Sequence, residues 1–115
     1  MFKPSHKDYG CLISIQESIS KIIEYTKSFK SADEFYTNSI AFDATMMNFV
    51  VIGEMAEKLS EEFRKETETE IDWFKIKGFR NIIAHNYFGI DAEEVWQIIH
   101  DSLLDLKDKL SNIIE

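Results

Sequence analysis

The 115-residue chain holds one cysteine, one proline and four glycines. A single cysteine excludes an internal disulfide and any cysteine-based zinc finger. So little proline and glycine argues against a turn-dense sandwich or barrel. Strand-like alternation is missing over any useful length. No apolar run reaches the roughly 18 residues needed to cross a membrane. The opening residues MFKPSHKDYG lack the apolar core of a secretory signal. Bases are scarce as well: 13 against 21 acids, a formal charge of −8. That balance argues against a non-specific nucleic-acid coat. What is plentiful is apolar surface, with 44% hydrophobic and 13% aromatic residues. A disordered chain would be poorer in both. The expectation is one cytosolic, cytoplasmic domain over residues 1–115, with no membrane association.

The charge is unevenly spread. Glu54 to Glu70 carries seven glutamates against Lys58, Arg64 and Lys65, and Asp91 to Glu115 carries seven acids against Lys107 and Lys109. Between them, Trp73 to Ile90 holds Lys75, Lys77 and Arg80 and no acid. This basic island reads either as the solvated face of a helix or as a surface that meets an anion. Lys75 and Lys77 are the candidate anion contacts if the second reading holds.

Apolar spacing predicts helices. Ser5 and Asp8 have capping-box spacing, and Leu12, Ile15, Ile19, Ile22 and Ile23 follow at helical period to about Phe29. Ser31 and Glu34 repeat the box and open a second region, with a pause near Thr37-Asn38-Ser39. Its stripe continues through Phe42, Met46, Phe49, Ile52, Ala56, Leu59 and Phe63. Gly53 and Ala56, small and about one turn apart, would let a neighbouring helix come close, a use that offsets the helix-breaking tendency of glycine. Lys65 to Glu70 reads as a connector. Asp72 caps a third helix from near Trp73 to near Asn86, and Phe88-Gly89-Ile90 breaks it. Asp91, with Glu94 as box partner, opens a last helix whose stripe runs from Val95 to Ile113. Four main helices with short connections predict an all-α, up-down four-helix bundle with a short extra helix.

The chemistry concentrates in Gly78-Phe79-Arg80-Asn81-Ile82-Ile83-Ala84-His85-Asn86-Tyr87. Arginine offers a planar fork for phosphate oxygens. Histidine exchanges a proton near neutrality. At about 100° per residue, Asn81 and His85 share a face, so Asn81 is placed to orient the imidazole. Arg80 and His85 lie roughly 140° apart by the same period. One straight helix cannot aim both at one atom, so either the helix unwinds at His85 or two chains share a site. The bland reading is a histidine that caps a helix C-terminus and an arginine paired with glutamate.

Arg80-x4-His85-x-Tyr87 resembles the signature of the HEPN superfamily, and more narrowly of the HepT-like ribonuclease toxins. Val51-Ile52-Gly53-Glu54, Asp72-Trp73, Tyr87-Phe88-Gly89-Ile90-Asp91 and Val95-Trp96 fit the same pattern in order. The resemblance implies an all-helical bundle that dimerises with its motifs at the interface. It implies a metal-independent endoribonuclease without a cofactor. Arg80 would hold the scissile phosphate, His85 would be the acid/base group, and Asn81 the supporting polar residue. It also implies a toxin–antitoxin pair of type VII kind. Its partner would be an MntA-like nucleotidyltransferase antitoxin that silences the toxin by moving AMP to Tyr87. The alternative is the same fold as a non-catalytic subunit that binds a nucleotide or partner. Glu54 stands in the upstream motif, either facing the cleft or paired with Arg80.

His6 and His100 have no companions at ligand spacing, so metal binding is not expected, and no Walker loop or G-x-G-x-x-G is present. Cys11 reads as a small core residue of the first helix, and Met46 and Met47 as core or interface filler. Trp73 and Trp96 could stack on bases, but core packing is the preferred reading for both.

Overall fold

A computed structural model describes residues 3–114 of the chain. Seven α-helices and one 3-10 turn make up its regular structure: α1 (His6–Thr26), α2 (Ala32–Thr37), α3 (Ser39–Lys58), α4 (Glu61–Thr67), α5 (Trp73–His85), the turn Tyr87–Gly89, α6 (Ala92–His100) and α7 (Ser102–Ile114). No strand occurs among the described residues. The four long segments α1, α3, α5 and α6–α7 form the expected helical bundle. The expected extra helix is two short ones, α2 and α4.

Side-chain caps set the boundaries. Ser5, Ser31, Asn38, Ser60, Asp72 and Asp91 each accept an orphan backbone N–H at a helix start. The pause at Asn38 is therefore the start of α3. Other boundaries differ from the sequence reading. α1 ends at Thr26, three residues short of Phe29, where the Thr26 hydroxyl donates to the Ile22 carbonyl at 2.8 Å. The second region breaks at Leu59, whose extended backbone hands the chain to Ser60. Lys65 to Thr67 belong to α4, so the true connector is only Glu68 to Asp72. The last helix breaks at Asp101 into α6 and α7. Asp91 accepts from the Glu93 amide, not from Glu94.

Asp8 explains the break after α3. It does not close a box on its own helix. Buried, it accepts from the Ser60 amide at 2.8 Å and the Ser60 hydroxyl at 2.7 Å, 52 residues away. Burial pushes its carboxyl up, but these donors outweigh that and hold it below its ordinary value of 3.8. The start of α1 is thereby tied to the α3–α4 corner, with α1 and α3 antiparallel.

The core runs between α1 and α3 and on to α7. Leu12, Ile15, Ile19, Ile22, Phe35, Met46, Val95 and Leu110 are fully buried, and Cys11 is part of this core. Trp73 packs on Phe63 and donates its indole N–H to Thr67 at 2.8 Å, and Trp96 packs on Phe35. Both tryptophans thus serve packing. α3 is long and apolar enough, by length and composition alone, to cross a membrane, although Asp43, Asn48 and Glu54 interrupt its apolar residues. Its apolar residues Phe42, Met46, Phe49, Ile52 and Ala56 are buried in the core.

α5 lies antiparallel on α3, since Asp43 meets Tyr87, Gly53 meets Arg80 and Glu57 meets Lys77. Gly53 is the crossing point. A Cβ there would stand 2.3 Å from Arg80 Cβ and 2.6 Å from Arg80 Cγ. These atoms belong to the root of a side chain and cannot swing away. Gly53→Ala should therefore lower stability by about 1–3 kcal/mol through overpacking, despite alanine's better helix propensity. A urea melt followed by circular dichroism measures this, and an unchanged or raised midpoint would refute the close approach.

Candidate active site

Gly53 lets the stem of Arg80 lie flat on α3, leaving the residue only 8% exposed. From there its guanidinium is gripped on three sides. Nη1 donates to Glu54, Nη2 donates to Glu57 at 2.9 Å, and Nε donates to Asn81 Oδ1 at 2.9 Å. Glu54 and Glu57 are one turn apart on α3, so each meets one terminal nitrogen of the fork. Lys77 closes the cluster from α5, 3.2 Å from Glu57. The hydrogen bond from Arg80, then that from Lys77, holds the Glu57 carboxyl below its ordinary range. Glu57 likewise raises Arg80, against the opposing effect of burial, and Glu54 adds to it. Arg80 is thus a fixed cation. A guanidinium has five N–H donors, and with three committed two remain, one on each terminal nitrogen.

His85 is exposed at the last position of α5. Asn86 leaves helical geometry immediately after it (φ −146°, ψ 48°), and its N–H still reaches the Ile82 carbonyl. The helix therefore ends at the imidazole. Arg80 faces α3 while His85 faces solvent, as the 140° separation requires. Asn81 spends its carbonyl on Arg80. The amide braces the arginine, and the expected use of Asn81 to orient His85 is not what the structure shows.

Tyr87 stands outside α5, in the 3-10 turn. Its ring packs edge-on against Phe42, and its hydroxyl donates to Asp43 of α3. Burial, followed by the Asp43 carboxylate, pushes the phenol up to about 12. Gly89 closes the turn beneath the Asn86 side chain, where a Cβ would meet its amide nitrogen at 2.5 Å.

The basic island is split. Lys77 joins the Arg80 cluster, whereas Lys75 lines a separate cavity of about 370 Å³ floored by Phe49, Ile52, Phe79 and Leu106. Two site residues escaped the sequence reading, Asp43 and Glu57. For Glu57 a signal existed: its spacing of three from Glu54 suits two prongs of one arginine.

A model of the ribonuclease HepT-like family matches residues 15–113. The chain belongs to the HepT-like family. Its relatives include "Probable ribonuclease HepT" of Thermococcus cleftensis, 31% identical over 96% of this chain and 97% of that one. A candidate RNase of Methanocaldococcus jannaschii is 32% identical over 86% of this chain and 89% of that protein. A third relative, a gamma-glutamylcyclotransferase and candidate RNase of the same organism, is 36% identical over 88% of this chain. The HepT-like chain spans only 45% of that longer protein. No solved structure matches at a significant level. Within this HepT-like fold, Arg80, His85 and Tyr87 occupy three distinct settings: clamped, exposed and tethered.

The tether is testable by titration. The phenolate absorbance of wild type minus that of Tyr87→Phe should show a group titrating near 12, and Asp43→Asn should bring it down toward 10.0. The fold raises this pKa. Its contribution to stability is therefore whole below about pH 10 and lost as pH rises through about 12. An isolated Tyr87 titration at 10.0 in wild type would contradict the tether.

Proposed function

We propose that the chain is a metal-independent endoribonuclease that cleaves RNA with Arg80 and His85. The observation that carries this reading is the pairing of a clamped Arg80, with two N–H donors to spare, and an exposed imidazole at the end of the same helix. Those two donors suit two non-bridging oxygens of a phosphodiester. His85 takes the proton from the RNA 2′-OH as its oxygen attacks phosphorus, or donates one to the departing 5′ oxygen. The P–O5′ bond breaks, leaving a 2′,3′-cyclic phosphate and a 5′-hydroxyl. Asn81 supports Arg80 through its Nε. Lys77 lies in the same cluster, and Lys75 would meet RNA only further along the surface.

Arg80 and His85 diverge around α5, so the working site is that of a homodimer in which the motifs of two copies face one another. Exposed apolar residues on α3 and α5 support this. Ile40 and Met47 are 83% and 61% exposed on α3, and Phe74 is 87% exposed on the α5 face that carries His85. By helical period Phe74 and His85 differ by only about 20°.

The same reading makes the chain a cytoplasmic toxin of a toxin–antitoxin pair, with a nucleotidyltransferase partner as antitoxin. That partner would move AMP from ATP to the Tyr87 oxygen, with pyrophosphate leaving. The modified residue would lose its donor to Asp43 and set a phosphodiester anion beside that carboxylate, forcing the turn to move. A second reading, a non-catalytic partner-binding subunit, draws on the grip of Glu54 and Glu57 on Arg80. Cleavage of tRNA and mRNA in EDTA decides between them, with intact mass recorded. Wild type should cut. His85→Ala should lose on the order of 10² or more in rate while its fold and association state persist. Absence of cleavage by an unmodified wild type would favour the second reading.

A further inference from the structure

We propose that Phe88 is the base-stacking platform of this nuclease, holding an unpaired RNA base beside the Arg80–His85 motif. The inference rests on the RNA-cleaving reading above and adds what holds the RNA in place.

The first ground is a shortage of usable charge. The chain carries a formal −8. Around the motif, Arg80 and Lys77 are matched by Glu54 and Glu57. Asp43 lies on the same flank, and Lys75 turns to the separate cavity. RNA binding through counterion release needs several cations free to neutralise phosphates. This surface supplies few. A single strand must then be held by contacts that do not depend on charge, and aromatic stacking is the main such contact for unpaired bases.

The second ground is Phe88 itself. It is fully exposed, at 100%, in the turn that begins two residues after His85. The turn is braced on both sides. Tyr87, whose hydroxyl is tied to Asp43, meets the Phe88 ring edge-on at 5.6 Å and 87°. Gly89 is closed under the Asn86 side chain. An aromatic ring held out from a braced turn, next to the proton-transfer group, is a platform whose faces are open. Every base has a face to stack, so such a platform tolerates sequence while selecting unpaired over paired RNA.

The test uses the full chain with a fluorescein-labelled single-stranded RNA of about 12 nucleotides, within the span that stacking sites occupy. KM and kcat are measured for wild type, Phe88→Ala, Phe88→Leu and Phe88→Trp, with association state followed by sedimentation. Stacking predicts a KM raised about 5- to 150-fold in Phe88→Ala and Phe88→Leu, near-constant kcat, and recovery in Phe88→Trp. The association state should be the same in all four. Recovery in Phe88→Leu equal to that in Phe88→Trp would overturn stacking, because leucine restores apolar contact without a ring face. Dissociation of Phe88→Ala into monomers would overturn it too, assigning the ring to a second copy. Wild-type cleavage with an unchanged Phe88→Ala would sink the role of Phe88 and leave the nuclease reading standing. A wild type that neither binds nor cuts the RNA would overturn both.

Discussion

The close passage of α5 over Gly53 is the constraint on which the site depends. A helix backbone without a side chain at that point admits the stem of Arg80, and the stem's position delivers the guanidinium to two glutamates of α3. Arginine rather than lysine suits this place, because a planar fork can satisfy three acceptors and keep donors in reserve. Packing and electrostatics are one feature here. The residue that fills the α3–α5 contact is also the cation of the site.

That arrangement leaves a nuclease candidate with little net attraction for its substrate. Two cations and two carboxylates cancel around the motif, inside a chain that is acidic overall. Local order takes the place of bulk charge. Asn81, Glu54 and Glu57 fix one group, the end of α5 exposes the imidazole, and Asp43 tethers the following turn through Tyr87. Each tie joins α5 or its turn to α3, apart from that of Asn81, so displacement of α5 would be felt at every candidate residue together.

Much of this was legible in the sequence. Helix starts at Ser5, Ser31, Asp72 and Asp91 were readable because a short polar side chain before an apolar run has one strong local use. Gly53 announced a close approach, and the divergence of Arg80 and His85 followed from helical period. The breaks at Leu59 and Asp101 were hidden, since Ala56, Leu59 and Phe63, like Ile99 and Leu103, keep helical spacing across them. The tie of Asp8 to Ser60 spans 52 residues and leaves no local pattern. Asp43 carried no local signal, and the Glu54–Glu57 spacing gains its partner only from the position of α5. Asn81 shows the same limit: shared face with His85 was correctly expected, but a neighbouring guanidinium competed for the amide and won.

The measurement closest to the central claim is Arg80→Lys, with melting and RNA cleavage followed on the same preparation. Lysine keeps the charge and one carboxylate contact but loses the fork. The account predicts a folded helical protein of lowered melting temperature whose cleavage falls by about 100-fold or more. Wild-type cleavage in a folded Arg80→Lys protein would contradict it, and would make Arg80 an anchor of the α3–α5 contact alone.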